Sequence, residues 1–394
     1  MAGPALDGAG RLQRPLRIAQ VGAFPFPSPQ GSQVFVHGMA KALMKRGHAV
    51  EIHCYGYGFG EVSPGLTLRR CATPAGYRRL RAGPDLMKPA LDLSLAASVW
   101  RAARDGVDVL HAHNYEAPLA CLPARLRFGA PLLYCAHNRM GDELKTYFSG
   151  RITRFAAHCG GVALDRAVPR LADHALAIHP RSVEVLRELG CTEVSCVEPG
   201  VDLADLAPCA PADLPPGPWV VYAGNPDRYQ DLPVLFNAMR LVPEARLLLV
   251  SASDMKEWAE ALPPRTLSVQ TSDFDVVRAH LAAASIAVLP RAVCAGYPIK
   301  LLNYLGMGLP TVMAAGAAIA APGVVAAADG DAPAFAAAIR SLLADPERRA
   351  ALGEAARAHV RRHCSWEARA VELEAVYARC LAVTGAAAGA HARL

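Results

Sequence analysis

The sequence predicts an α/β protein made of two doubly wound parallel-sheet domains, and three observations predict it. Short apolar runs alternate with longer helical patterns along almost all of the 394 residues, the signature of parallel strands joined by crossover helices. A proline-rich stretch, 208–218, breaks that alternation near the middle and carries no periodicity. The chain is also too long for one ordinary core; at roughly 150 residues per domain it holds two or three. Composition agrees, since 53% hydrophobic and 19% charged residues can build large cores and exclude general disorder. The net charge of +6 is mild and spread along the chain, so it marks no nucleic-acid partner. The eleven cysteines form no CxxC pair and read as reduced, mostly buried thiols of a cytoplasmic protein.

Taken in order, residues 1–16 read as a flexible leader, without the apolar core of an export signal. The acceptor-side domain then runs over 17–207. Its predicted strands are Arg17–Gly22, Ala49–Cys54, Val107–His111, Leu132–His137 and Ala175–His179, with helices such as Gln33–Arg46 and Leu91–Arg104 between them. After the linker 208–218 the pattern restarts over 219–365. Strands are expected at Trp219–Ala223, Ala245–Val250, Leu267–Thr271, Ile286–Leu289 and Thr311–Ala314, then a helix at Pro346–Arg362. A last helix, from Trp366, is expected to pack back toward the N-terminal domain and accounts for 366–394. Two such domains would face a cleft lined by strand C-termini, where open α/β sheets bind ligands. The run Leu301–Ala328 has no charge and is long enough to span a bilayer, yet Gly306, Gly308, Pro310, Gly316 and Pro322 punctuate it; it reads as helix, buried strand and loop.

The common nucleotide and hydrolase signatures are missing: no GxxxxGK[ST], no GxGxxG between strand and helix, no GxSxG. Gly56-Tyr-Gly-Phe-Gly60 leads into no helix and reads as a loop. His111 and His113 have metal-ligand chemistry but no third ligand at usable spacing, and read as a strand-end pair with one ring in and one out. Asp273 and Asp275, and likewise Asp329 and Asp331, imitate a cation-holding DxD, but each pair precedes a helix and reads as capping carboxylates. Three features have the chemistry for an anionic sugar ligand, although taken alone the Gly31-Ser32 loop reads equally as an ordinary βα loop and His137 as a structural histidine. Gly31 and Ser32 lie between the first strand and first helix, where glycine allows a positive φ and the helix end favours phosphate. His137 closes a predicted strand and can hydrogen-bond a sugar hydroxyl or a developing charge. Pro298 starts a helix whose amides at Ile299, Lys300 and Leu301 favour a diphosphate, with Lys300 adding a full charge.

These pieces fall in order along a chain that resembles the GT-B-fold glycosyltransferases of family 4, from about Arg17 to Leu381. The ordered set is the Gly31-Ser32 loop, Arg46-Gly-His48, His111-Ala-His113, His137-Asn138, Leu171-Ala-Asp173, Pro199-Gly-Val-Asp202, Val221-Tyr-Ala-Gly224, the Pro298–Pro310 segment and Ser365-Trp-Glu367. The resemblance implies two Rossmann-like domains and a retaining, metal-independent, hexosyl-type transferase. It implies a nucleotide-diphosphate sugar as co-substrate, no further cofactor, and no nucleic-acid partner. By position it implies His137, Arg228 and Lys300 as the catalytic set, with Arg228 neutralising the departing diphosphate. Gly31, Ser32, Gly224, Asn225, Tyr297, Pro298, Ile299, Leu301 and Asn303 would take the donor; Gln33, His113 and Asn138 would face the acceptor. Three positions depart from the family: its usual lysine falls at Gln230, and its two glutamates at Ala295 and Asn303. We read Lys300 as replacing the missing cation. The departures also admit a GT-B-shaped partner subunit that has lost catalysis, or a metal-dependent transferase using Asp273 and Asp275. A sugar, lipid-linked or small-molecule acceptor fits equally. Arg69, Arg70, Arg78, Arg79, Arg81 and Lys88, with Lys145, Arg151 and Arg154 around Tyr147-Phe148, read either as solvated faces or as a peripheral contact with the inner face of a membrane.

Overall fold

The computed structural model describes residues 12–28, 30–79, 83, 85–227, 230–292 and 296–391, the last nine of these without side chains. The chain divides into two compact units, Met1–Gly200 with Ala295–Tyr297 and Trp366–Leu394, and Val201–Cys294 with Pro298–Ser365.

The first unit is built from β1 (Arg17–Gly22), α1 (Gly31–Lys45), β2 (Ala49–Cys54), β3 (Thr67–Arg70), α2 (Lys88–Arg104), β4 (Val109–His113), α3 (Glu116–Phe128), β5 (Leu132–Ala136), α4 (Met140–Glu143), α5 (Arg151–Ala167), β6 (His174–Ala177), α6 (Pro180–Glu188) and β7 (Val194–Cys196). Its seven strands, all parallel, lie in the order β3-β2-β1-β4-β5-β6-β7. The order reverses between β1 and β4, and there the carboxyl ends of adjacent strands diverge to leave room for a ligand. Ala19, Val21, Leu110 and Ala112 point to the face covered by α2 and α3, where Leu95, Val99 and Cys121 meet them. Strands buried on both faces read as continuous apolar runs, which is why the central ones are visible in the sequence. β3 and β7 were not foreseen. Both are edge strands, short and only half covered, so Arg69 and Arg70 stand where an apolar run would otherwise signal a strand.

The second unit comprises β8 (Trp219–Ala223), α7 (Leu232–Arg240), β9 (Arg246–Ser251), β10 (Thr266–Gln270), α8 (Phe274–Ala283), β11 (Ile286–Leu289), α9 (Ile299–Gly306), β12 (Thr311–Ala314), β13 (Val324–Ala327), α10 (Ala332–Ala344) and α11 (Pro346–His363). Its parallel order is β10-β9-β8-β11-β12-β13, with the reversal between β8 and β11. The uncharged run 301–328 resolves into most of α9, buried β12 and edge strand β13; no helix among the described residues is long and apolar enough to cross a membrane. Asp273, Asp331 and Asp345 accept hydrogen bonds from the first-turn amides of α8, α10 and α11, the capping role expected of the first two. Asp329 instead accepts from Gly316 N.

The final helix, α12 (Trp366–His391), belongs to the first unit and packs on α1. Glu374 receives both Arg46 Nε and the second guanidinium nitrogen, at 2.5 and 2.7 Å, and His48 Nε2 at 2.9 Å. His48 Nδ1 accepts from Leu16 N, so its proton sits on Nε2 and is donated to Glu374. The expected leader is therefore too long at its end. Leu16 is buried and Arg14 pairs with Asp108 at 2.6 Å; the earlier part, residues 1–11, lies outside the described residues. In the linker, Ala212 N donates to Ala279 O and Trp219 Nε1 to Pro215 O, so its middle is tied to the second unit.

Candidate active site

At the reversal point of the second unit, β8 ends at Ala223 and is followed by Gly224, and α9 begins at Ile299. Lys300, in the first turn of α9, stretches its ammonium to 2.9 Å from the Tyr222 hydroxyl and 3.2 Å from Gln230 Oε1, over the Tyr222 ring. Tyr222 passes its own proton to Asn225 O at 2.6 Å, which ties the loop after β8 to the same cluster. Gly224 holds φ at 151°, and a Cβ there would stand 2.5 Å from Lys300 Nζ, so only glycine leaves the ammonium its place. Burial drives the Lys300 pKa down to about 7, aided by the charge of Arg291 and opposed by Asp227. A lysine so placed is held neutral or charged by small changes around it, and an arriving diphosphate favours the charged form.

The sequence missed Tyr222, Asp227 and buried Arg291 as members of this cluster. Only Arg291 could have been suspected, as a basic residue following a strand end. Two expectations need correction. Pro298 is the N-cap residue, not the first helical one, and its carbonyl accepts from Leu301 N at 2.8 Å. The amides left toward a ligand are those of Ile299 and Lys300; Leu301 is buried. Asn303 lies one turn further along α9 and is half-buried. Arg228 and Ala295 lie outside the described residues.

At the reversal point of the first unit the residues expected to meet substrate are mostly covered. Gly31 opens α1 in ordinary helical geometry rather than with positive φ, and its surroundings are open enough that a Cβ would touch nothing. Ser32 is half-buried. Gln33 is buried and its amide donates to Gln30 Oε1, so it braces the loop rather than facing an acceptor. His113 is wholly buried, with Nδ1 3.1 Å from His137 Nε2: it stands behind His137 and not on a surface. His137 lies just past β5 and packs edge-on to Phe35. Burial holds its pKa at about 3, so the ring is neutral. Asn138 donates to Glu143, and Gly296 passes close to it and to His137 O; a Cβ on Gly296 would lie about 3 Å from both. Tyr297 is ring-packed near His179.

The expected inward–outward split of His111 and His113 is wrong for a simple reason: residues two apart on a strand share a face. The strand runs to His113, not His111, both rings are buried with centroids 4.3 Å apart, and Cys135 of the neighbouring strand joins them.

Residues 30–200 match the glycosyl transferase 4-like domain family, and residues 217–345 match the glycosyl transferases group 1 family. No curated protein matches the sequence significantly. Among solved structures the chain is similar to sucrose-phosphate synthase from Thermosynechococcus elongatus, at TM-score 0.76 and 20% identity over 93% of this chain and 99% of that one. It is similar to HepE of Anabaena in complex with UDP and glucose, at TM-score 0.67 and 14% identity over 91% and 98%. The catalytic domain of starch synthase IV from Arabidopsis thaliana, bound to ADP and acarbose, matches at TM-score 0.65 and 13% identity over 93% and 100%.

Proposed function

The chain belongs to the family 4-like GT-B glycosyltransferases, and on that premise we propose that it moves a hexosyl-type sugar from a nucleotide-diphosphate donor to an acceptor, with retention of anomeric configuration. One observation carries the reading: Lys300 Nζ lies 3.2 Å from the side chain of Gln230, the position at which the resemblance expects a lysine. A cation from α9 thus occupies the ground of the missing one. That answers the departure at Gln230; a non-catalytic partner subunit would rest on the two missing glutamates, at Ala295 and Asn303, and is tested by whether any donor is turned over.

In this reading the second unit takes the donor. Lys300 and the α9 amides of Ile299 and Lys300 accept the diphosphate, and their positive potential stabilises the charge that grows on it as the glycosidic bond breaks. Gly224, Asn225, Pro298 and Asn303 belong to the same turns, and the resemblance gives Arg228 the neutralising of the departing diphosphate. No metal is needed at the diphosphate, and no cofactor beyond the donor. The first unit takes the acceptor, with Ser32, His137 and Asn138 toward the transferred sugar. His137, being neutral, supports the reacting carbon as a hydrogen-bonding ring rather than as a cation. The similar structures that hold UDP and ADP support a donor of that class. A lipid-linked acceptor at a membrane is supported by the first turns of α5, where Ile152 and Phe155 stand exposed beside Arg151 and Arg154.

A thermal-shift screen with UDP, GDP, ADP, dTDP, CMP and their sugars tests the reading. A true donor at 100 times its Kd should stabilise by about 2.7 kcal/mol. Transfer should then persist in EDTA and give a product of unchanged anomeric configuration by NMR. A screen with no stabilising nucleotide would overturn the transferase assignment.

A further inference from the structure

On one face of the first sheet three metal-binding side chains meet. His111 and His113 alternate along β4, and Cys135 of β5 lies opposite His113 in register. One donor atom from each lies within 4.8 Å of the others, and all three residues are wholly buried. Each imidazole has one nitrogen engaged: His111 Nδ1 is 2.9 Å from the Tyr377 hydroxyl, and His113 Nδ1 is 3.1 Å from His137 Nε2. Neither Nε2 atom has a hydrogen-bond partner among the described residues. A metal-bound histidine shows this division, one nitrogen on the ion and the other N–H handed to an outer partner that fixes the ring.

We propose that His111, His113 and Cys135 form a buried site for a thiophilic d10 cation, Zn²⁺ or Cu⁺. Neutral imidazole and thiolate are the ligands such ions select. Burial already keeps both rings neutral, whereas the thiol must lose its proton as the sulfur–metal bond forms, so binding releases one proton for each ion taken up. A single thiolate cancels the charge of Cu⁺ and leaves Zn²⁺ with one net positive charge in the core. Zn²⁺ is held by four ligands, so it needs a fourth donor, here a neutral one that completes the tetrahedron without altering the charge. Gln20 is placed for it, opposite His111 in register on β1, with neither amide atom partnered among the described residues. Ligation at His113 Nε2 leaves the ring proton on Nδ1, which donates to His137 Nε2. Where His137 serves transfer as proposed above, the ion sets which of its nitrogens carries the proton. The site is structural and separate in its residues from the Lys300 cluster, so transfer that survives brief EDTA treatment is compatible with it.

The test is metal content. The full chain is produced in medium supplemented with Zn²⁺ or, separately, Cu⁺, exchanged into EDTA, and measured by mass spectrometry. We expect about one ion per chain, and less than about a tenth of that in Cys135→Ser or His111→Gln. Cys121→Ser, an equally buried thiol on α3, should retain the ion and controls for damage to the core. Gln20→Ala should lower occupancy by Zn²⁺ and spare Cu⁺. Cobalt loaded during expression should give a thiolate charge-transfer band that Cys135→Ser abolishes. A wild-type chain that carries neither ion, or a folded Cys135→Ser chain that still carries one, overturns the site. Nucleotide binding is scored separately in the thermal-shift screen, so failure here leaves the transferase reading standing.

Discussion

Lys300 is one amine held among a phenol, an amide and a helix end, and its behaviour follows from that. Removing it as Lys300→Ala takes away a charge-assisted contact worth about 1.5–3 kcal/mol. Nucleoside-diphosphate Kd should therefore rise roughly 10- to 150-fold by calorimetry, with little loss of fold. Gly224→Ala should approach the same loss, since its Cβ would fall 2.5 Å from the amine at a φ that L-residues avoid. The pH dependence has a definite sign. With the pKa lowered to about 7, the free protein loses the ammonium as pH rises through neutrality, so diphosphate affinity should weaken above pH 7. The limit is about tenfold per pH unit. Lys300→Gln should be flat over the same range. Between about 7 and the ordinary lysine value of 10.5 the unfolded chain binds more protons than the folded one, so the unligated fold should gain stability with pH there. No spacing rule could have paired Lys300 with Gln230, because 70 residues separate them and only side-chain reach connects them. What the sequence did reveal was that a positive helix end followed the Gly296-Tyr297-Pro298 turn.

Among elements, α12 depends most on a few polar contacts. Burial alone would raise the carboxyl of Glu374, but Arg46 and His48 together hold it below its ordinary value. A carboxylate so depressed stabilises the fold above its unfolded pKa near 4.5, and that contribution is lost as pH falls through its lower folded value. Glu374→Ala strands Arg46 and His48 and should cost about 3 kcal/mol. That should lower Tm by roughly 6–12 °C, a change calorimetry resolves easily. Gly38→Ala tests the apolar half of the same junction, since its Cβ would run into the Trp366 indole and force α1 and α12 apart. The Arg46-Gly-His48 and Ser365-Trp-Glu367 motifs were legible as family marks, but not as partners of α12 and α1. Elements were legible where an apolar run stood apart from its neighbours. β1, β2, β8, β11 and β12 fall on the apolar runs that predict them, and edge strand β10 lies one residue from its predicted span, whereas β3 and β7 carry too little apolar sequence to announce themselves and β13, wholly apolar, merges into the uncharged run 301–328. The histidines of β4 failed for a different reason: buried polar rings interrupt the apolar run and shift the apparent strand two residues early.

Across the whole molecule, both sheets share one strand order apart from the extra edge strand β7 of the first, and the proposed site residues of each lie at or beside its reversal point. A sequence with alternating strands and helices can show this only as a repeated pattern, since pairing order is a long-range property. Surface function is harder still to read, because it depends on which charges are already paired. Of the first basic group, Arg69 pairs with Glu51, Arg79 with Asp85 and Lys88 with Glu116, while Arg81 lies outside the described residues. Those three pairs leave Arg70, bonded to Phe26 O, and Arg78, over the Phe59 ring, as the cations of that group without an acidic partner among the described residues. The start of α5 differs. Arg151 and Arg154 have no ion pair among the described residues, and Ile152 and Phe155 beside them are 84% and 69% exposed. Two such side chains entering an interface contribute about 1.5–3 kcal/mol each, and each arginine near an anionic surface about 1 kcal/mol more. Ile152→Glu with Phe155→Glu should therefore lower partitioning onto phosphatidylserine-containing vesicles by at least about a hundredfold in a sedimentation assay. Arg151→Gln with Arg154→Gln should remove most of the salt dependence and leave a weaker apolar attachment. Both pairs of changes belong to the first unit and the Lys300 cluster to the second, so nucleotide binding should be unchanged in each. Wild-type protein that stays in the supernatant at low salt would assign those exposed residues to a soluble acceptor instead.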